Sequence, residues 1–174
     1  GYKYLNGGPG CSAFLYLNRR HFGRKPALAG WFGNRKASQF DMSLEFEPSP
    51  AAGGWQISSP GILGSATMPG SLAVLGEAGI GRIREKSIRM TAYLIDLVTA
   101  ELSVPPYDFS IGTPLDPRRR GGHVAIEHPR EALRINEALK ARGVVPDFRP
   151  PNVIRLAPVP LYTTYREVRR VVHH

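Results

Sequence analysis

The stretch GRIREKSIRMTAYLIDLVTAEL, residues 81–102, decides the fold class. Its apolar positions Ile83, Met90, Leu94, Leu97 and Val98 recur at helical spacing, with arginine and glutamate between them, which predicts a long amphipathic helix. A helix with one apolar stripe must bury it against another layer. The sequence downstream supplies candidates for that layer. YDFSIGTP (107–114) and GGHVAIEH (121–128) read as two strands joined by the polar loop LDPRRR (115–120). The alternation of His123, Ala125 and Glu127 with Val124 and Ile126 marks a half-buried strand. Pro129 is placed to open a helix running to Arg142, and Gly143 just beyond it is the expected stop. VPDFR (145–149) and NVIRLAP (152–158) predict two short extended segments. Thr164 followed by Glu167 forms a capping box for a last helix, Tyr165 to His174.

Upstream the pattern loosens. Ser71 to Gly76 reads as a helical turn or two, and the glycine- and proline-dense stretch from Pro48 to Ser71 suits binding loops better than regular structure. PALAGWFGNR (26–35) reads as a loop around Trp31 and Phe32, and SAFLYLN (12–18) as a buried strand. The order of elements predicts an α/β or α+β chain. Its first 60 residues hold one strand among many loops, so they read as the end of a domain, with 61–174 forming a second one.

The composition bounds what such a chain can do. With 174 residues and 42% hydrophobic content it can bury a core. No apolar run is long enough to span a membrane and no signal sequence is visible. The lone Cys11 gives no internal disulfide and no cysteine–histidine pattern suggests zinc, so the cytoplasm is the expected location and no metal is expected. The net charge of +9 raises nucleic acid as a partner, but the basic residues are scattered, without a recognition motif or interleaved aromatics. The groups Arg19/Arg20, Arg82/Arg84/Lys86/Arg89, Arg118/Arg119/Arg120 and Arg166/Arg169/Arg170 are expected to be solvated, which leaves a basic site for a small anion open.

GYKYLNGGPG at the start of the chain carries the chemistry. A lysine that forms a Schiff base needs an aimed, partly desolvated amine, and Lys3 is flanked by Tyr2, Tyr4 and the permissive glycines Gly7, Gly8 and Gly10. Taken alone, such a lysine is far more often a solvated surface group. Arg155, inside the apolar segment NVIRLAP, requires an anionic partner, which either a bound ligand or a structural Asp or Glu could provide.

YKYLNGGPG, KPALAGWFG (25–33), ISSPGIL (57–63), EKSIRMTAYL (85–94) and RGVVPDFRPPNVIRLAPVPLY (142–162), in that order, resemble the C-terminal portion of the kynureninase family. These are pyridoxal-phosphate enzymes of the fold-type-I aminotransferase superfamily. The resemblance covers nearly the whole chain, the segment around 104–120 excepted. It implies the end of a large cofactor-binding domain in 1–60 and a small C-terminal α+β domain in 61–174, opened by a long linking helix. It also implies that an upstream half is needed and that the chain alone is inactive.

By position, the resemblance makes Lys3 the Schiff-base lysine, Tyr2 a phosphate contact and proton carrier, Trp31 a phosphate ligand, Ser59 a phosphate ligand reaching in from a partner subunit, and Arg155 the clamp on the substrate α-carboxylate. Asn34 stands where many relatives have histidine, near the aromatic end of the substrate, which leaves the choice between kynurenine and its 3-hydroxy form open. The implied reaction is hydrolysis of L-kynurenine to anthranilate and L-alanine by a cytoplasmic homodimer holding pyridoxal 5'-phosphate, within tryptophan catabolism. The alternatives are another enzyme of the same fold, such as an aminotransferase or a desulfurase, or a non-catalytic basic binding module. A desulfurase would need a mobile cysteine, and Cys11 sits in the wrong context.

Overall fold

The computed structural model describes all 174 residues, which form two compact units, Gly1–Glu77 and Ala78–His174. No helix is long and apolar enough to cross a membrane.

The second unit is built around the predicted long helix. We number elements in chain order, α1 being Ile62–Ala66 and α2 Met68–Ala78 in the preceding segment, so this helix is α3, Ile80–Glu101. It buries Met90, Leu94, Ile95 and Val98, one stripe of the 3.6-residue period. That stripe packs on a four-stranded antiparallel sheet of β1 (Ser110–Ile111), β2 (Val124–Glu127), β3 (Asp147–Arg149) and β4 (Val153–Leu156), in the order β1-β2-β4-β3. Pairing sets Val124 beside Leu156 and Ile126 beside Ile154. These apolar residues share one face with Phe148, which is in register with Ile154. Helices α3, α4 (Ala132–Ala141) and α5 (Tyr165–Val172) all cover this face. Strand alternation therefore sends Ala125, Glu127, Asp147, Arg149, Val153 and Arg155 to the opposite face, where no helix of this unit packs.

Local chemistry sets the helix ends. The capping box of α5 is present: the Glu167 N–H donates to Thr164 Oγ1 at 3.2 Å and the Thr164 N–H to Glu167 Oε2 at 2.7 Å. Helix α4 starts later than the proline rule predicts, at Ala132 rather than Pro129. Ahead of it, His128 Nδ1 accepts the N–H groups of Glu131 at 2.9 Å and Arg130 at 3.3 Å, which holds residues 129–131 in a turn before the helix begins. Gly143 ends α4 with φ of 80°, and the Val144 N–H returns to the Leu139 carbonyl at 3.0 Å.

One group of arginines departs from the solvated reading. Arg120 is buried, donates from Nε to Thr91 Oγ1 at 3.1 Å, and reaches the Leu115 carbonyl. Arg84 donates to the Pro117 carbonyl at 2.5 Å and the Arg120 carbonyl at 3.2 Å. These two guanidiniums fasten the 115–120 loop to α3, because the Leu115, Pro117 and Arg120 carbonyls lie outside any strand or helix and accept side-chain N–H groups instead.

The first unit contains α1, α2 up to Glu77 and short 3₁₀ turns at Arg19–His21, Trp31–Gly33 and Ala51–Trp55. The buried strand predicted at 12–18 is absent: the segment is irregular, and Phe14, Leu15 and Tyr16 are exposed. A strand exists only against a neighbour that takes its N–H and C=O groups, and no strand of these residues lies beside 12–18. Apolar composition registered a demand for burial without naming what meets it. Met68 is the one buried large apolar residue of this unit.

Candidate active site

The opening segment folds as a knot of tight turns. The Asn6 N–H donates to the Lys3 carbonyl at 2.9 Å and the Gly7 N–H to the Gly1 carbonyl at 3.1 Å, while Gly8 and Gly10 take φ of 82° and 87°. Those left-handed angles admit glycine and strain other residues. Side chains then seat the turn on α1 and α2. Ser71 donates its hydroxyl to the Leu5 carbonyl, and the Ser12 and Ser65 hydroxyls meet at 2.6 Å. A Cβ at Gly7 would strike Cys11 Sγ and Met68 Sδ, so Cys11 is a packing residue here. A Cβ at Gly64 would strike the Gly10 carbonyl. On this fixed base Lys3 is exposed, its Nζ 5.3 Å from the centre of the Tyr2 ring.

The other lysines narrow the choice. Lys36 donates to the Phe32 carbonyl at 2.7 Å, Lys86 to the Pro160 carbonyl at 2.6 Å and the Thr163 carbonyl at 3.1 Å, and Lys140 pairs with Glu137 at 3.0 Å. Each of those amines is engaged by a structural acceptor. Only Lys3 and Lys25 carry amines without one, and only Lys3 sits on a rigid glycine turn beside a phenol.

Trp31 lies on the 3₁₀ turn Trp31–Gly33, with ring contacts to Phe32 at 5.2 Å and Phe40 at 5.8 Å, and remains 45% exposed. It is therefore not a core aromatic. The turn abuts the 54–57 segment so closely that a Cβ at Gly30 would overlap the Ile57 carbonyl, and one at Gly33 would crowd the carbonyls of Gln56 and Gly54. Ser59, two residues on from Ile57, is exposed. Asn34 is partly committed to holding the loop: its Oδ1 accepts the Glu47 N–H at 3.1 Å and its carbonyl accepts the Ser49 hydroxyl at 2.6 Å. No hydrogen bond or ring contact joins Lys3 to Trp31 or Ser59.

Arg155 is in the second unit, on β4, and faces away from the helices. Its register partners are Ala125 on one side and Asp147 on the other. Nη2 donates to Asp147 Oδ2, and the same oxygen accepts Arg149 Nη2 at 3.0 Å and Nε at 3.2 Å. These hydrogen bonds, that from Arg155 foremost, hold the Asp147 carboxyl below the usual carboxylate range. Arg155 uses none of its other N–H groups within the protein, and its side chain is 31% exposed. An arginine has five N–H donors, so a second anion can still be gripped in bidentate fashion. A nearby cavity of about 670 Å³ lies on the opposite, helix-covered face of the sheet, lined by Val98, Leu102, Ile126, Ile154 and Leu156, and includes none of the candidate residues.

The requirement for an anion at Arg155 was legible in the sequence, but Asp147 and Arg149 were not singled out. Their signal was the alternation of PDFR, which puts both on one strand face. The chemistry of these side chains, an amine beside a phenol at Lys3 and Tyr2 and, apart from them, an indole N–H at Trp31 and a hydroxyl at Ser59, is of the kinds that pyridoxal phosphate takes, and the structure leaves the two groups unconnected.

The model of the kynureninase C-terminal domain family matches residues 83–174. Kynureninase of Geobacillus thermodenitrificans is 56% identical over 171 residues, which is 98% of this chain and 39% of that protein. Kynureninase of Bacillus mycoides is 53% identical over 167 residues, 96% of this chain and 38% of that protein. The chain thus spans about two fifths of the length of the curated relatives it matches. Among solved structures, a cysteine desulfurase of Thermococcus onnurineus superposes with a TM-score of 0.71 at 15% identity, over 91% of this chain and 40% of that one. A cystine C–S lyase, in complex with cysteine persulfide, gives 0.65 at 17%, over 91% and 40%. These two likenesses establish the fold alone.

Proposed function

Because the chain belongs to the kynureninase family, we propose that it forms the C-terminal part of an enzyme that hydrolyses L-kynurenine to anthranilate and L-alanine with pyridoxal 5'-phosphate. The observation that carries this reading is identity of 52–56% to kynureninases along almost the whole chain, across both units. The likeness to desulfurases lies at 15–17% identity and concerns the fold. When bound, the cofactor supplies an electron sink that lets bonds at the substrate's Cα and Cβ break heterolytically.

The residues of this chain have separable tasks. Lys3 carries the amine that would hold the cofactor covalently and, once released, move a proton at the substrate Cα. Tyr2, whose ring lies beside Nζ, would donate its phenolic hydrogen to the phosphate or to the reacting centre. Trp31 offers its indole N–H and Ser59 its hydroxyl to the phosphate, Ser59 from the partner subunit of a homodimer. Arg155 would anchor the α-carboxylate and so orient the substrate Cα. Asn34 retains an amide N–H₂ toward the aromatic end of the substrate, since its Oδ1 is already engaged. In this reading residues 1–60 complete the cofactor domain, 61–174 form the substrate-side domain, and the enzyme is cytoplasmic.

Product analysis tests the assignment. The complete enzyme, given L-kynurenine and cofactor, is expected to release anthranilate and L-alanine in equal amounts. A keto acid in place of alanine would assign the chain to transamination instead.

A further inference from the structure

We propose that Asp147 is a positioning residue for substrate binding: it holds Arg155 by one terminal nitrogen, so that the rest of the guanidinium is presented to the substrate carboxylate, and Arg149 keeps Asp147 from neutralising it. The inference rests on the reading of Arg155 as the carboxylate clamp.

Three observations support it. First, the register Ala125↔Arg155↔Asp147 sets the arginine between a methyl group and a carboxylate on the helix-free face of the sheet. Ala125 leaves the space over the guanidinium open on one side, while Asp147 fixes the other. Second, all the contacts converge on a single oxygen, Asp147 Oδ2, which accepts from Arg155 Nη2 and from Arg149 Nη2 and Nε. Asp147, Arg149 and Arg155 together carry a net charge of +1, so the carboxylate that holds Arg155 does not cancel the guanidinium offered to one more carboxylate. Third, the arginine is 31% exposed while its anchor holds, so the free edge is both oriented and reachable. A flexible arginine would have to give up rotamer freedom on each binding event, and the anchored one has given it up already.

The test is a double-mutant cycle in the complete holoenzyme, with Asp147→Asn, Arg155→Ala and the pair, reading kcat and KM for L-kynurenine separately. Asp147→Asn keeps the shape of the side chain and removes the charge. It is expected to raise KM about tenfold, the scale of one charge-assisted hydrogen bond, and to change kcat much less. Asp147→Glu is expected to recover part of the loss. In the Arg155→Ala background the Asp147→Asn change is expected to have no further effect on KM, because the residue it aims is gone.

Equal, additive effects of Asp147→Asn in both backgrounds, or an unchanged or lowered KM in the single variant, would overturn the proposal. An unchanged KM in Arg155→Ala would instead overturn the clamp reading beneath it, so the two failures are distinguishable. Should Asp147→Asn fail to fold, Arg149→Ala provides the second arm: leaving Asp147 to Arg155 alone, it is expected to raise KM, and a lowered or unchanged KM contradicts the scheme.

Discussion

At Asp147, one carboxylate oxygen serves two arginines, and this has a consequence for stability as well as for binding. Its carboxyl is held below the usual range by the hydrogen bond from Arg155 and then by that from Arg149. A group depressed on folding contributes stability above its unfolded value, near 4, and that contribution is lost as the pH falls through its folded value. Acid unfolding followed by circular dichroism is therefore expected to show a steeper loss for the natural protein than for Asp147→Asn below about pH 4. The difference is small because the pair is partly solvated. Parallel curves would mean that the contact is not maintained in solution. Arg155 itself was legible as an arginine inside an apolar strand. Its partner was not, because a sequence states that a buried charge needs a counter-charge without saying which of several carboxylates lies across the sheet.

The elements divide by the range of the interactions that make them. Helix α3, the capping box of α5 and the glycine stop of α4 follow from residues within a few positions of each other, and all were predictable from the sequence. The start of α4 lies beyond a turn in which His128 accepts the N–H groups of Arg130 and Glu131, a side-chain-to-backbone contact that pattern reading does not seek. Segment 12–18 failed as a strand because strands are made by partners and not by composition alone. Helix α3 also carries a polar requirement that its periodicity hides: Thr91 is fully buried and accepts the buried Arg120 through its hydroxyl. Thr91→Val preserves the shape and removes the acceptor. It is expected to destabilise the second unit by about 1–3 kcal/mol in urea unfolding, the cost of an unsatisfied buried donor. A change near zero would show that Arg120 finds another acceptor.

Over the whole molecule, core and chemistry are unevenly shared. The second unit holds nearly all the buried apolar residues and Arg155, the proposed carboxylate clamp, whereas the first holds Lys3, Tyr2, Trp31 and Ser59 on turns and loops, the opening turn being seated by glycine contacts and serine hydrogen bonds. The family and α/β class were legible because the motifs run in order along the chain, and the family model and the relatives at 52–56% identity agree. The net charge of +9 carried less information than its size suggests, since Arg84, Arg120 and Lys86 serve internal carbonyls. The claim on which the rest depends is that Lys3, of all the lysines, bears the cofactor. Borohydride reduction of the complete protein loaded with pyridoxal phosphate, followed by peptide mass mapping, tests it directly. The expected result is a pyridoxyl mass on the peptide containing Lys3, lost in Lys3→Ala; stoichiometric label on any other lysine, or none at Lys3, would contradict it.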